Sequence, residues 1–188
     1  APINRVTGGA SVAQSGVADL QYGGTTANDS SGSIRYLRVE YTGAVFTSGK
    51  KFNGVSFFGV GSGTKFEYVK AFHGTDDGFE FFGGTVNTSN LVSIGNGDDQ
   101  FDWTEGWNGT NTNWYGKVAF SKGNRGIEAD NDESGISNTP ISNPSITILT
   151  LVDTDSTAYT LIYNRKQGLK LRMRTRGLYK NGDETGRK

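Results

Sequence analysis

One short pattern returns along this chain at near-constant spacing, and that return restricts the possible folds more than any other feature. Asn53-Gly54-Val55-Ser56-Phe57-Phe58-Gly59 recurs 24 residues later as Asp77-Gly78-Phe79-Glu80-Phe81-Phe82-Gly83. Asp99-Gln100-Phe101-Asp102-Trp103 follows after 22 residues, and Arg125-Gly126-Ile127-Glu128-Ala129 after a further 26. Gln167-Gly168-Leu169-Lys170-Leu171 comes 42 beyond that, the spacing of one longer loop or a skipped turn. A second pattern runs beside the first. Ile34-Arg35-Tyr36-Leu37-Arg38-Val39 matches Phe66-Glu67-Tyr68-Val69-Lys70-Ala71, continues in Asn90-Leu91-Val92-Ser93-Ile94, and returns in Ile146-Thr147-Ile148-Leu149-Thr150-Leu151.

Each unit therefore holds at least two short strands in which apolar and polar residues alternate, separated by Gly, Asn, Asp and Thr turns. A unit of 22–26 residues is too short for two strands and a crossover helix, and no segment has a capped helical period. Stacked coils of this length give parallel sheets without helices. The expected fold is thus all-β, a right-handed parallel β-helix with coils of about 22–26 residues. An antiparallel sandwich is the competing architecture, but it does not account for the constant spacing. Residues 1–188 read as a single β-helix domain. No terminal cap is evident, so the chain reads as a fragment of a longer helix, with 176–188 a disordered or irregular tail.

Composition agrees with this reading. Gly is abundant at 28 residues without a collagen period, and only 34% of residues are apolar, which suits a thin elongated core. Cysteine is absent, which excludes disulfide staples and Cys-zinc sites. No apolar run is long enough for a membrane span. No signal peptide is visible, and the chain starts at Ala1-Pro2 without Met, as a processed or trimmed end would. A formal net charge of zero gives no reason to expect nucleic acid.

The charge is nevertheless unevenly placed. From Asp76 to Glu133 there are eleven acidic residues and three basic ones, whereas Arg165–Lys188 carries nine basic and two acidic. The alternation that turns Phe79 and Phe81 inward turns Glu80 outward. In register, Ser56, Glu80, Asp102, Glu128 and Lys170 make one outward ladder. Carboxylates about 5 Å apart on neighbouring strands repel by roughly 3 kcal/mol per pair at an effective dielectric near 20. A cation, a raised pKa or a basic neighbour must offset this. Asp76, Asp77, Asp98 and Asp99 arrive at the turn before the same strand, and Asp130 follows Glu128. Such a set of hard oxygens suits Ca²⁺. The alternatives are Asp residues that cap turns through Asx hydrogen bonds, and a catalytic carboxylate pair.

Phe58 and Phe82 are expected to point outward one coil apart, and Trp107, Trp114 and Tyr115 fall in what reads as a Gly/Asn/Thr-rich loop, 106–116. Flat rings on a rigid sheet suit sugar stacking or protein contact; the alternative is a loop that folds over the phenylalanines and buries them. Lys170 and Arg172 complete the candidate ligand-binding set. His73, the single histidine, reads as structural.

Several of these stretches resemble a group of secreted or surface-anchored bacterial β-helix proteins with the pectin-lyase-like fold. The resemblance is carried by Gly32-Ser33-Ile34-Arg35-Tyr36-Leu37-Arg38-Val39-Glu40-Tyr41, by Asp76-Asp77-Gly78-Phe79-Glu80-Phe81-Phe82-Gly83-Gly84-Thr85-Val86-Asn87, and by Asp98-Asp99-Gln100-Phe101-Asp102-Trp103. It covers roughly residues 1–175. It implies the β-helix and an extracellular or cell-surface setting but no defined reaction. The resulting expectation is a non-enzymatic module that binds a polysaccharide or a surface protein, with Ca²⁺ as its one candidate cofactor. A polysaccharide lyase or glycoside hydrolase on the acidic face is the first alternative. A structural rung that self-associates through uncapped ends is the second.

Overall fold

The computed structural model describes residues 1–4, 10–11, 21–47, 50–119, 123, 125–132, 138–153 and 163–164. The chain is a parallel β-helix. One sheet stacks Val55–Phe58, Phe79–Phe82, Phe101–Thr104, Ile127–Ala129 and Tyr163–Asn164, every neighbouring pair parallel. A second stacks Lys65–Phe72, Asn87–Ile94, Thr110–Val118 and Ser145–Asp153, with Ser33–Arg35 and Arg38–Glu40 together forming its first edge. Two antiparallel pairs, Ala10–Ser11 with Gln21–Tyr22 and Val45–Thr47 with Lys50–Lys51, lie off these sheets. Among the described residues no helix is long and apolar enough to cross a membrane.

The register follows the repeat. Val55, Phe79, Phe101 and Ile127 form one file, Ser56, Glu80, Asp102 and Glu128 the next, and Phe57, Phe81, Trp103 and Ala129 the third. The alignment departs at its last step. The partner of Glu128 is Tyr163, not Lys170. Leu161-Ile162-Tyr163 is a continuous apolar run without alternation, whereas Gln167–Leu171 repeats the alternating pattern, so a search for a period of two passes over the first and selects the second. Lys170, Arg172 and the tail 176–188 lie outside the described residues.

Single residues with left-handed backbone make the corners of each coil. One file of them is Tyr36, Tyr68, Asn90, Asn113 and Ile148, with φ of 57, 56, 56, 56 and 62°. It bends the strands of the second sheet in the middle. Tyr41, His73 and Gly95 form another file, and Gly59, Gly83 and Glu105 a third. His73 is thus a corner residue, its ring against Phe72 and edge-on to Tyr41. At Gly83 the corner is tight as well as left-handed, since a Cβ there would lie 2.7 Å from the Glu105 carbonyl oxygen. Ile148 is the misfit in its file. A β-branched residue is strained at positive φ, and it is 61% exposed, so little burial offsets the cost. Replacing it by Asn, as its neighbour Asn113 already is, is expected to raise stability by about 1 kcal/mol in chemical denaturation. A loss would show that the Ile148 side chain stabilises more than its backbone costs.

The core is a column of stacked rings. Phe57 lies on Phe81 at 4.5 Å, Phe101 on Trp114 at 4.4 Å, and Phe81 on Trp107 at 3.9 Å. Phe66, Val69, Leu91, Ile127 and Leu149 complete it. Each such side chain contributes roughly 1.5–3 kcal/mol on burial; rings fill the coils from Phe57 to Trp114, and Ile127, Ile146 and Leu149 continue the core in the next.

Candidate functional site

The carboxylates gather where the turn before each first-sheet strand meets that strand's outer face. Asp76 and Asp77 end one turn, and Asp98 and Asp99 the turn of the next coil. Glu80 and Asp102 follow on the outward file, where they are direct cross-strand partners. Carboxylate oxygens of Asp77, Glu80 and Asp102 lie within 4.8 Å of one another, and so do those of Asp76, Asp77 and Asp98. Asp77 belongs to both groups. Two oxygens bound to one Ca²⁺ at about 2.4 Å are separated by no more than about 4.8 Å, so either group could hold the ion.

The groups are poorly solvated for charges. Asp99 is 1% exposed, and Asp77 and Glu80 are each 8% exposed. Burial pushes Asp77 up to about 8; the backbone N–H of Asp99 pulls it down, and the charges of Asp98 and Asp76 push it further up. Burial likewise raises Asp99 to about 9, helped by its contact with Glu128. Glu80 and Asp102 are raised well above the usual carboxylate range, by burial first and then by nearby carboxylates. Asp76 is raised by burial and by Asp98, and lowered by Lys51.

Some of this charge is answered locally. The Asp99 N–H donates to Asp77 Oδ1 at 2.9 Å, which ties adjacent coils. Asn53 Nδ2 donates to Glu80 Oε2 and, at 3.1 Å, to Ser56 Oγ. Turn capping therefore accounts for one oxygen of Asp77. Arg125 reaches Glu128 at 2.7 Å and Asp99 at 3.4 Å. These contacts leave Asp99 Oδ1 buried without a hydrogen-bond partner among the described residues. A buried anionic oxygen left in that state calls for a proton or a cation. The donor set, all hard oxygens with no sulfur or imidazole, fits Ca²⁺.

The expected acidic set thus divides. Asp76, Asp77, Glu80, Asp98 and Asp102 are brought together. Asp99 and Glu128 sit beside them, bridged by Arg125. Asp130 joins neither triad; its N–H bonds the Trp103 carbonyl. Neither the Asn53 cap nor the Arg125 clamp was expected, although both residues stand at the same place in the repeat as Asp77 and Asp99.

The aromatic expectation requires correction. Thr110–Val118 is a strand of the second sheet and not a loop. Trp107 and Trp114 are 0% and 1% exposed, stacked parallel in the core at 6.0 Å, and so cannot meet a ligand. Their indole N–H groups bond the Val86 carbonyl and Thr88 Oγ1. Dense Gly, Asn and Thr around them disguised a strand whose inward positions match those of its neighbours. Phe58 and Phe82 do point outward and stack at 4.7 Å, but Tyr22 covers both and Phe82 is buried. Tyr22 fixes this cover by donating its hydroxyl to Glu105 at 2.5 Å. Tyr115 alone of the three loop aromatics stays partly exposed, in register with Lys70 and Val92. It borders a groove of about 510 Å³ along the corner file of the second sheet, shared with Tyr36 and Tyr68.

A family model described as a pectate-lyase-like beta helix domain matches residues 1–183. No curated protein and no solved structure matches the chain.

Proposed function

The chain belongs to the pectate-lyase-like β-helix family, and from that premise we propose that it is an extracellular, non-enzymatic module that binds a glycan or a surface protein and is stabilised by Ca²⁺ on its acidic face. One observation carries the reading: Asp77, Glu80 and Asp102 hold their carboxylate oxygens within 4.8 Å of one another on a rigid wall of cross-strand partners. Asp77 would hold the ion together with Glu80 and Asp102, or with Asp76 and Asp98. The ion would supply the positive charge that allows its ligands to ionise together, tying two coils.

Titration calorimetry on the full chain is expected to show Ca²⁺ binding that Asp77→Asn and Asp102→Asn each weaken at least tenfold. Absence of binding heat, confirmed by an unchanged melting temperature in Ca²⁺, would overturn the cation site.

A carbohydrate-active enzyme is favoured by a different observation. Glu80 and Asp102 share a hydrogen bond and both have raised pKa values, as a general acid and its partner do. Against it stands access. Glu80 is 8% exposed and held by Asn53, whereas an acid that protonates a polymer must touch it. Pectate or alginate incubated with the protein is expected to keep its viscosity; a fall that Asp102→Asn abolishes would establish the enzyme.

A further inference from the structure

We propose that the groove along the corner of the second sheet, bordered by Tyr36, Arg38, Tyr68, Lys70, Asn90 and Tyr115, is a binding site for an extended anionic glycan. This names a ligand surface for the module described above, on a different sheet from the acidic face, and rests on that reading.

The first argument is backbone strain. Tyr36 and Tyr68 both stand at positive φ, at 57 and 56°. In the next two coils the same corner is made by Asn90 and Asn113, each at 56°. Asn reaches the left-handed region at lower cost than an aromatic residue. The two asparagines also bond each other, Asn113 Nδ2 to Asn90 Oδ1 at 2.6 Å. The fold thus uses a better corner residue one and two coils away. The tyrosines do not recover the difference in the core, since Tyr36 is 77% and Tyr68 47% exposed. Ile148 carries the same strain alone, whereas the two tyrosines are stacked into one exposed surface, and it is that pairing of strain with a built surface that directs attention to function.

The second argument is surface chemistry. The two rings stack at 4.9 Å and 15° and so form one flat amphipathic patch with its hydroxyls in water. Beside it Asn90 and Asn113 supply amide donors and acceptors, which suit hydroxyl groups. On the same sheet Arg35 pairs with Glu67 at 2.7 Å, and Arg38 pairs with Glu40. Lys65, Lys70 and Lys117 form no ion pair among the described residues, which leaves this face with surplus positive charge. Lys70 is held over the Phe72 ring at 4.2 Å. Rings for the apolar faces of sugars, amides for their hydroxyls and lysines for their carboxylates or sulfates describe one ligand chemistry. A protein partner would meet a larger continuous apolar centre.

The test is affinity electrophoresis of the full chain through gels containing alginate or neutral dextran, in EDTA, so that Ca²⁺ cannot bridge the acidic face to the polymer. Alginate is expected to retard the wild type and dextran is not. Tyr36→Asn/Tyr68→Asn is expected to weaken retardation roughly tenfold or more, and Lys70→Gln to weaken it less. The double variant should melt at the same temperature or higher, because Asn suits those corners; loss of binding with undiminished stability is what a merely structural role would not give. Retardation unmoved in both variants would overturn the groove, while calcium binding would still judge the acidic face separately. Failure of alginate to retard the wild type would also overturn it. So would tighter binding of a single-stranded oligonucleotide, or self-association that the double variant removes, since each assigns the corner to another partner.

Discussion

In metal-free buffer the protein is expected to lose stability as pH rises from about 4 to about 9, and Ca²⁺ is expected to abolish that loss. The sign follows from which state holds the protons. Folding raises Asp77 from 3.8 to about 8 and Asp99 from 3.8 to about 9, chiefly through burial. Between the unfolded and folded values the native state binds more protons than the unfolded chain. These groups therefore contribute stability that is complete below the unfolded pKa and lost as pH rises through the folded one. For an isolated group, each tenfold change in proton affinity on folding corresponds to about 1.4 kcal/mol. Coupling among these neighbours reduces the sum, so a total on the order of 3 kcal/mol, roughly 6–12 °C in Tm, is expected. Ca²⁺ replaces the protons, and its stabilising effect should grow with pH. Asp77→Asn separates the two contributions. Its amide oxygen can still accept the Asp99 N–H that Asp77 accepts at 2.9 Å. In EDTA at pH 8 the variant should be more stable than wild type, because a buried charge is gone; in Ca²⁺ it should be less stable, because a ligand is gone. Thermal scans across pH in both buffers measure this. A wild-type Tm that rises with pH in EDTA would show that these carboxylates are already satisfied as anions.

Trp107→Ala is expected to destabilise the fold by about 3–5 kcal/mol, or roughly 6–20 °C in Tm. The indole is fully buried, lies 3.9 Å from the Phe81 ring and 5.7 Å from Trp103, and bonds the Val86 carbonyl. Truncation removes its burial, opens a cavity in a ring column that cannot collapse without shifting whole coils, and leaves that carbonyl without its indole donor. A ligand-stacking tryptophan on an exposed loop would cost less than about 1 kcal/mol on truncation. Urea unfolding with an unchanged m-value distinguishes the two; a small shift in midpoint would return Trp107 to the surface.

These cases show where sequence is a sufficient guide. Strand spacing and alternation set the coil length, the parallel stacking and the three files of the first sheet, because one residue of error would turn every apolar side chain outward. For the same reason the outward ladder of Ser56, Glu80, Asp102 and Glu128 was legible before any coordinate. The strand at Thr110–Val118 was not. Two of its four inward positions are Asn111 and Gly116, so its apolar positions looked isolated, and only stacking on Asn87–Ile94 shows that Trp114 continues the file of Leu91. Nor could spacing reveal the corners, since a left-handed residue breaks the alternation and carries no residue type of its own: Tyr, Asn, Ile, His, Gly and Glu all occupy them.

What the sequence alone determined was the repeat, and with it the axis, the sheets and which side of each first-sheet strand faces the core. Tertiary structure alone decided how much water each outward group keeps. Glu80 is outward in register yet buried beside Asn53, and Asp77 is buried in the turn before it, whereas Tyr36 and Tyr68 stay exposed at a strained corner. Periodicity records direction from the strand; solvation depends on what neighbouring coils lay over that direction, and that is set only when the coils stack.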